Sequence, residues 1–331
     1  MIKVAVDAMG GDNAPVCNVK GAILALQENK DIEIILIGKE ELIQPILSQE
    51  KADMARIHVV NAREVIETGD EPAISVLKKK DSSLVLGMKM LKNGEADAFV
   101  SAGSSGAILV GGQIIAGYVG GVRRAPLAVE IPTVKGTSLL LDCGANVDAR
   151  PEQILQFAVM GSLYAKYIMN IPNPSVGLLN IGTEPYKGNA LTREAYPLLE
   201  ACDQINFMGN AEVRELPFGE ADVYVCEAFA GNVALKTFEG TAKALMSQIK
   251  SALMSSVSGK MGGLLIKSSL KGLLQSFDAS TAGGAPLLGL SGLVIKAHGN
   301  STEVQIKNAI IQCIKFTEND LKDKIAKAIP A

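Results

Sequence analysis

IKVAVDAMGGDNAP (residues 2–15) begins as a strand and ends on residues that a core cannot use. The β-branched and small apolar residues from Ile2 to Val6 run directly into paired glycines, Gly10 and Gly11. Asp7, Asp12 and Asn13 flank the pair, and Pro15 closes the stretch. A buried strand that breaks into Gly, Asp and Asn reads as the carboxyl end of a strand in an open parallel sheet, where such folds bind ligands.

The same pattern recurs in VSAGSSGA (100–107), LLDCGANVD (140–148), LNIGTEPYKGN (179–189) and CEAFAGN (226–232). Each apolar run gives way to Gly with Asn, Asp or Ser. Ordinary strand-to-helix turn chemistry explains any one of them; five together point to a shared anionic ligand. Glycine lets backbone approach a ligand closely, and N–H groups that open a helix suit an anion.

Around these turns, strand candidates at 2–8, 32–38, 56–62, 96–102, 137–143, 175–182, 205–209 and 221–227 alternate with helical patterns at 16–27, 82–93, 151–167 and 232–254. Several strands are apolar almost throughout, as strands covered on both faces must be. The expected class is α/β, a doubly wound and mostly parallel sheet in a three-layer αβα arrangement. Residues 1–331 read as one α/β unit, with two lobes as the alternative, and GYVGGVRRAPLAVEIPT (117–133) as a strand pair or an excursion into a second lobe.

Composition narrows the function. The 331 residues are 48% hydrophobic, with a net charge of −3, 4% aromatics and no Trp. That leaves no overall positive field and few stacking platforms, so nucleic acid is not an expected partner. Five cysteines (17, 143, 202, 226 and 313) show no C-x-x-C pair, which speaks against a disulfide framework or a zinc site. The chain opens on a strand, and no apolar run reaches the roughly 18 residues of a membrane span. A cytoplasmic protein is expected, with attachment at the inner membrane face as a variant. G-x-G-x-x-G is missing after the first strand, as are G-x-x-x-x-G-K-[ST] and G-x-S-x-G. His58 reads as structural, whereas His298 sits in the turn VIKAHGNS. A site rich in backbone donors, Asn and Lys but poor in nucleophiles suits a reaction in which the substrate, such as inorganic phosphate, attacks.

Long ordered motifs then carry a resemblance. VDAMGGDNAP, DEPAISVLKKKDSSLVLGMKMLKNGEADAFVSAGSSGA, LLLDCGANVDARPE, LLNIGTEPYKGN, FAGNVALKTFEG and GGAPLLGLSGLVIKAHGNS resemble the bacterial phosphate acyltransferases of phospholipid synthesis across essentially the whole chain. The resemblance implies transfer of a fatty acyl group from acyl carrier protein to phosphate, giving an acyl phosphate. It also implies a fold like that of phosphotransacetylases and isopropylmalate-type dehydrogenases, and a homodimer; no cofactor is expected, and no metal, because no paired carboxylates show metal-ligand spacing. A membrane glycerol 3-phosphate acyltransferase is the implied downstream partner. The chain departs from the family at Ser104-Ser105 (usually Asn-Thr or Ser-Thr), at Thr183 before Glu184 (usually two acids) and at Glu227 (usually Asp).

For this chemistry, Gly10, Gly11, Asn13, Ser104, Ser105 and Gly106 are expected to donate to the phosphoryl group. Asn146, Glu184, Lys187, Asn189 and Asn232 would complete the pocket, Lys187 or His298 would give the proton, and Asp7 and Asp12 would orient neighbours. Loop charge is the alternative for Lys187, and helix capping for Asn146 and Asn232. Lys78–Lys80, Arg123–Arg124 and Lys260–Lys271 are the basic clusters open to an acidic carrier protein. KMGGLLIKSSLKGLLQSF (260–277) is expected to form a protruding amphipathic helix near 255–280. Leu265, Ile266, Leu270, Leu273 and Leu274 would meet a membrane surface, with a dimer or core helix as the alternative. A short-chain phosphotransacetylase acting on acyl coenzyme A, a metal-dependent hydroxyacid dehydrogenase and a membrane-surface scaffold are the competing readings.

Overall fold

The computed structural model describes residues 1–266 and 283–330. Strands β1 (Ile2–Asp7), β2 (Ile32–Gly38), β3 (Ile57–Asn61) and β4 (Ala98–Ser101) are parallel and belong to one sheet. β10 (Ala285–Leu287) and β11 (Leu293–Lys296) complete it, in the order β10-β11-β4-β1-β2-β3, with only β10 antiparallel. A second sheet runs β5-β6-β9-β7-β8, from β5 (Val129–Thr133), β6 (Gly136–Leu141), β7 (Ser175–Asn180), β8 (Asn206–Glu212) and β9 (Val223–Val225). Here β5 is the antiparallel edge. The doubly wound, mostly parallel α/β class is therefore what the chain adopts, with its strands shared between two sheets.

Sequence placed most of these strands, because their apolar runs are covered on both sides. It did not mark β10 or β11, which are only three and four residues long and lie among glycines. The 117–133 stretch holds a single strand, β5. Before it, Tyr118 bridges Leu290 and Leu127 bridges Leu287, so the stretch carries the chain from the edge of one sheet to the edge of the other.

Helices α1 (Val16–Glu28), α2 (Glu40–Gln49) and α10 (Glu303–Glu318) cover the outer face of the first sheet around Val4, Val6, Ile34 and Ile295. On the outer face of the second sheet lie α6 (Pro151–Tyr167), α7 (Ala190–Glu200) and α11 (Leu321–Ala328), packed around Leu139, Val176 and Val223. Pro151 opens α6, where its missing N–H costs nothing, and the Arg150 N–H donates to Gln153 Oε1 at 2.9 Å.

The inner faces share one apolar cluster. Ala5, Ile35, Phe99 and Val294 of the first sheet join Leu140, Leu179 and Tyr224 of the second. Three helices fill the space between: α4 (Ser83–Lys92), α5 (Ser105–Gly111) and the start of α8 (Ala228–Met254). Between β3 and α4, the short α3 (Pro72–Lys78) packs against α5, where Pro72 Cγ lies 2.6 Å from a Cβ built on Gly106. Only Ala228, Gly231 and Ala234 of α8 are buried, so most of its 27 residues stand away from the core. It leads into α9 (Val257–Leu265). Leu265 ends that helix and Ile266 follows it, exposed; Leu270, Leu273 and Leu274 lie outside the described residues. Among the described residues no helix is long and apolar enough to cross a membrane.

Candidate active site

The first turn, the 101–106 turn and the 297–301 turn meet at the carboxyl edge of the first sheet. Asp7 ends β1 with its carboxylate buried; Oδ2 accepts from Ser101 Oγ at 2.7 Å and Oδ1 from the Met9 N–H at 3.1 Å. Ser101 Oγ also accepts from the Gly103 N–H at 3.1 Å. On the third turn, the Asp12 N–H donates to Gly299 O at 2.7 Å, and Asn13 Nδ2 donates to Asn300 O and Ser301 O at 3.2 and 3.1 Å. The glycines are required by this contact. A Cβ on Gly10 would stand 2.5 Å from Asp7 Oδ2, and Gly11, at φ +101°, would set one 2.9 Å from Gly299 O.

Burial raises the Asp7 pKa, against hydrogen bonds from Ser83, Ser101, Met9 and Gly10 that lower it. Its carboxylate is thus committed to holding the turn. Asn18, which sequence reasoning passed over as part of a helix, does the same from α1. Its Nδ2 donates to Asp7 O and Gly10 O at 2.8 and 2.9 Å. Ser104 caps α5 with its carbonyl, which accepts from the Ile108 N–H at 2.9 Å. Ser105, Asp12 and His298 are exposed around this edge, and Gly106 makes room for Pro72.

At the carboxyl edge of the second sheet, buried Asp142 plays the part that Asp7 plays in the first. Oδ1 accepts from the N–H groups of Leu127, Gly144 and Ala145 at 3.0–3.1 Å, and Oδ2 from the Asn146 N–H at 2.8 Å. Asn146 Nδ2 donates to Asp142 Oδ2 at 2.7 Å and Ala125 O at 2.9 Å, so both of its amide hydrogens serve inside the turn. Asn189 caps α7, its Oδ1 accepting from the Thr192 N–H at 2.9 Å. Two further asparagines shape the 180–189 loop: Asn180 Nδ2 donates to Lys187 O at 3.1 Å, and Asn210 Nδ2 to Glu184 O at 2.8 Å. Glu184 is exposed, and half-buried Lys187 places Nζ 5.8 Å from the Tyr186 ring centroid.

Beside this loop opens a mostly apolar cavity of about 250 Å³, lined by Leu178, Ile181, Leu191, Val213 and Ala230, with Asn189 and Glu227 at its polar side. Glu227 caps α8, accepting from the Phe229 and Ala230 N–H groups at 2.6 and 2.8 Å.

Among the described residues no hydrogen bond joins the first turn to the 180–189 loop; the two lie on different sheets. Helix α8 connects their surroundings. Asn232, Lys236 and Glu239 fall on one stripe of it, at helical spacing. Lys236 and Glu239 lie within electrostatic reach of Lys296 at the end of β11, on the first sheet. Lys296 was missed in the sequence, although a lysine that ends the apolar run LVI is a visible signal.

Burial pushes the pKa of the Cys143 and Cys226 thiols well above the ordinary range, and the neighbouring Asp142 carboxyl pushes the same way. Neither is an activated nucleophile. The geometry instead offers backbone donors, amides and lysines around two strand edges.

A family model described as "Fatty acid synthesis protein" matches residues 2–324. A phosphate acyltransferase of Desulfitobacterium hafniense (strain DSM 10664 / DCB-2) is 48% identical over 330 residues, covering 99% of this chain and 98% of that one. One from Clostridium perfringens (strain ATCC 13124) is 46% identical over 328 residues, covering 99% and 97%. Among solved structures, a phosphotransacetylase from Streptococcus pyogenes matches with a TM-score of 0.66 at 18% identity, covering 96% of this chain and 94% of that one. At that identity the likeness concerns the fold alone.

Proposed function

The chain belongs to the fatty acid synthesis protein family, with phosphate acyltransferases among its full-length relatives, and from that premise we propose that it transfers a fatty acyl group from acyl carrier protein to inorganic phosphate. The observation that carries this reading is the contact of three strand-end turns at Gly10–Gly11, Gly103 and Gly299 along one carboxyl edge of the first sheet.

In the proposed reaction a phosphate oxygen attacks the thioester carbonyl. The new O–C bond forms, the C–S bond breaks, and the electron pair leaves on sulfur, which then takes a proton. Holding two reactants in register supplies much of the acceleration, and fixed donors aimed at the developing oxyanion supply more. The turn residues Gly10, Gly11, Asn13, Ser104, Ser105 and Gly106 bind the phosphoryl group in this reading. Asp7, Asp12 and Asn146 hold the turns, and Asn189, Glu184 and Asn232 border the second edge. Lys187 or His298 delivers the proton. The apolar cavity beside Glu227, with Ile181 at 78% and Phe229 at 65% exposure nearby, supports a substrate carrying an acyl chain. A homodimer and a membrane glycerol 3-phosphate acyltransferase complete the proposal. The exposed Leu245, Met254, Met261 and Ile266 of α8, α9 and the residue after them support such associations.

The purified protein, given phosphate and a long-chain acyl carrier protein thioester, is expected to form acyl phosphate, trapped as its hydroxamate. Acetyl coenzyme A should be a far poorer donor. Equal or greater turnover of acetyl coenzyme A would replace this reading with a short-chain phosphotransacetylase.

A further inference from the structure

β11, β4 and β1 are adjacent and parallel, with Lys296 in register with Ser101 and Val6 with Val100, so Asp7, Ser101 and Lys296 stand in one row across the carboxyl edge. Side chains alternate along a strand. Ala5, Phe99 and Val294, each two residues earlier, all point into the apolar cluster shared by the two sheets. The row therefore faces the junction between the sheets. Helix α8 enters that junction from the other side, with Leu235 and Phe238 packed on the same cluster.

Asp7 and Ser101 satisfy each other within the row, but Lys296 has no such partner. Among the described residues its Nζ makes no hydrogen bond or ion pair, although the residue is partly buried. The nearby charges are Lys236, which repels it, and Glu239, which attracts it; burial and Lys236 lower its pKa, while Glu239 raises it. Lys296 is thus partly withdrawn from water, while exposed Lys236 and half-buried Glu239 supply the charges it faces. A desolvated ammonium without a partner is costly, and a second cation beside it adds to the cost. Such an arrangement is relieved by an anion of charge above one.

We propose that Lys296 and Lys236 form a cation pair that binds the phosphate substrate at the junction of the two sheets, Lys296 from the strand edge and Lys236 from α8. The proposal rests on the phosphate chemistry argued above and assigns the charge-bearing contacts that the glycine turns alone do not supply. It places the substrate oxyanion between the lysines, beside the 103–105 turn, with Asn232 one helical turn before Lys236.

The test is steady-state kinetics on Lys296→Gln and Lys236→Gln, with phosphate and acyl donor varied in turn and Lys243→Gln as an exposed control on the same helix. The KM for phosphate is expected to rise at least roughly tenfold in both variants, the loss expected for one charge-assisted contact. The donor KM should stay within about twofold by the same reasoning, and Lys243→Gln should match the parent. Direct binding gives a second readout: inorganic phosphate should raise the parent's Tm above that in chloride of equal ionic strength, and raise it less in either variant. Should Lys296→Gln fold poorly, Lys236→Gln, on an exposed helix face, carries the test. Unchanged phosphate KM and unchanged phosphate-dependent Tm in a folded variant overturn the cation pair. A parent that binds phosphate but forms no acyl phosphate overturns the proposed reaction while leaving the pair standing.

Discussion

Asp7 and Asp142 show how single residues organise this molecule. Each ends a central strand, is buried, and uses its carboxylate to collect hydrogen bonds from the turn that follows. Both have their pKa raised by burial, partly offset by those hydrogen bonds. A carboxyl whose folded pKa lies above its unfolded value binds its proton more tightly when folded. Its contribution to stability is complete below the unfolded value and is lost as pH rises through the folded one. The parent should therefore gain stability relative to Asp7→Asn as pH falls through the raised Asp7 value toward 3.8. Urea unfolding of both proteins from pH 7 downward measures this; parallel stability profiles would contradict it. The sequence announced Asp7 by its place at a strand end, but the role of Asn18 was hidden. A buried polar residue inside an amphipathic helix looks the same in sequence as a tolerated one.

Among the elements, α8 depends on a close approach that only glycine allows. A Cβ on Gly231 would come within 1.9 Å of Asp142 O, whereas one on Gly240 would meet nothing within 4 Å. Alanine is normally the better helix former by about 1 kcal/mol. Gly240→Ala should gain up to about that amount. Gly231→Ala should instead lose about 2 kcal/mol or more and displace α8 from the edge of β6, cutting turnover at least tenfold. Denaturant titration and activity assays on the two variants check the pair, and equal effects at both positions would refute the argument. Element positions were largely readable, because long apolar runs and the Pro151 start leave local signals. α6 begins and ends where its pattern predicts. β10 and β11 left no such signal: three- and four-residue strands owe their existence to pairing with distant chain.

At the scale of the whole molecule, the question is how turns on two sheets serve one reaction. Sequence showed that the turns were alike but not which would meet. The partners of Asp12 and Asn13 at 299–301 are nearly 290 positions away along the chain. The expected site residues divide between the two edges. Asp7, Gly10, Gly11, Asp12, Asn13, Ser104, Ser105, Gly106 and His298 lie on the first, and Asn146, Glu184, Lys187, Asn189 and Asn232 on the second. Helix α8 lies between them, with Gly231 against Asp142 O and Lys236 and Glu239 within electrostatic reach of Lys296 on β11, a placement no local motif encodes.

The most direct measurement is a crystal structure of the protein soaked in phosphate. The account predicts the anion at the carboxyl edge of β1, β4 and β11, within hydrogen-bonding distance of the Gly10–Gly11 or 103–105 backbone and of Lys296. Phosphate bound only at the 180–189 loop, with the first-sheet turns empty, would contradict it.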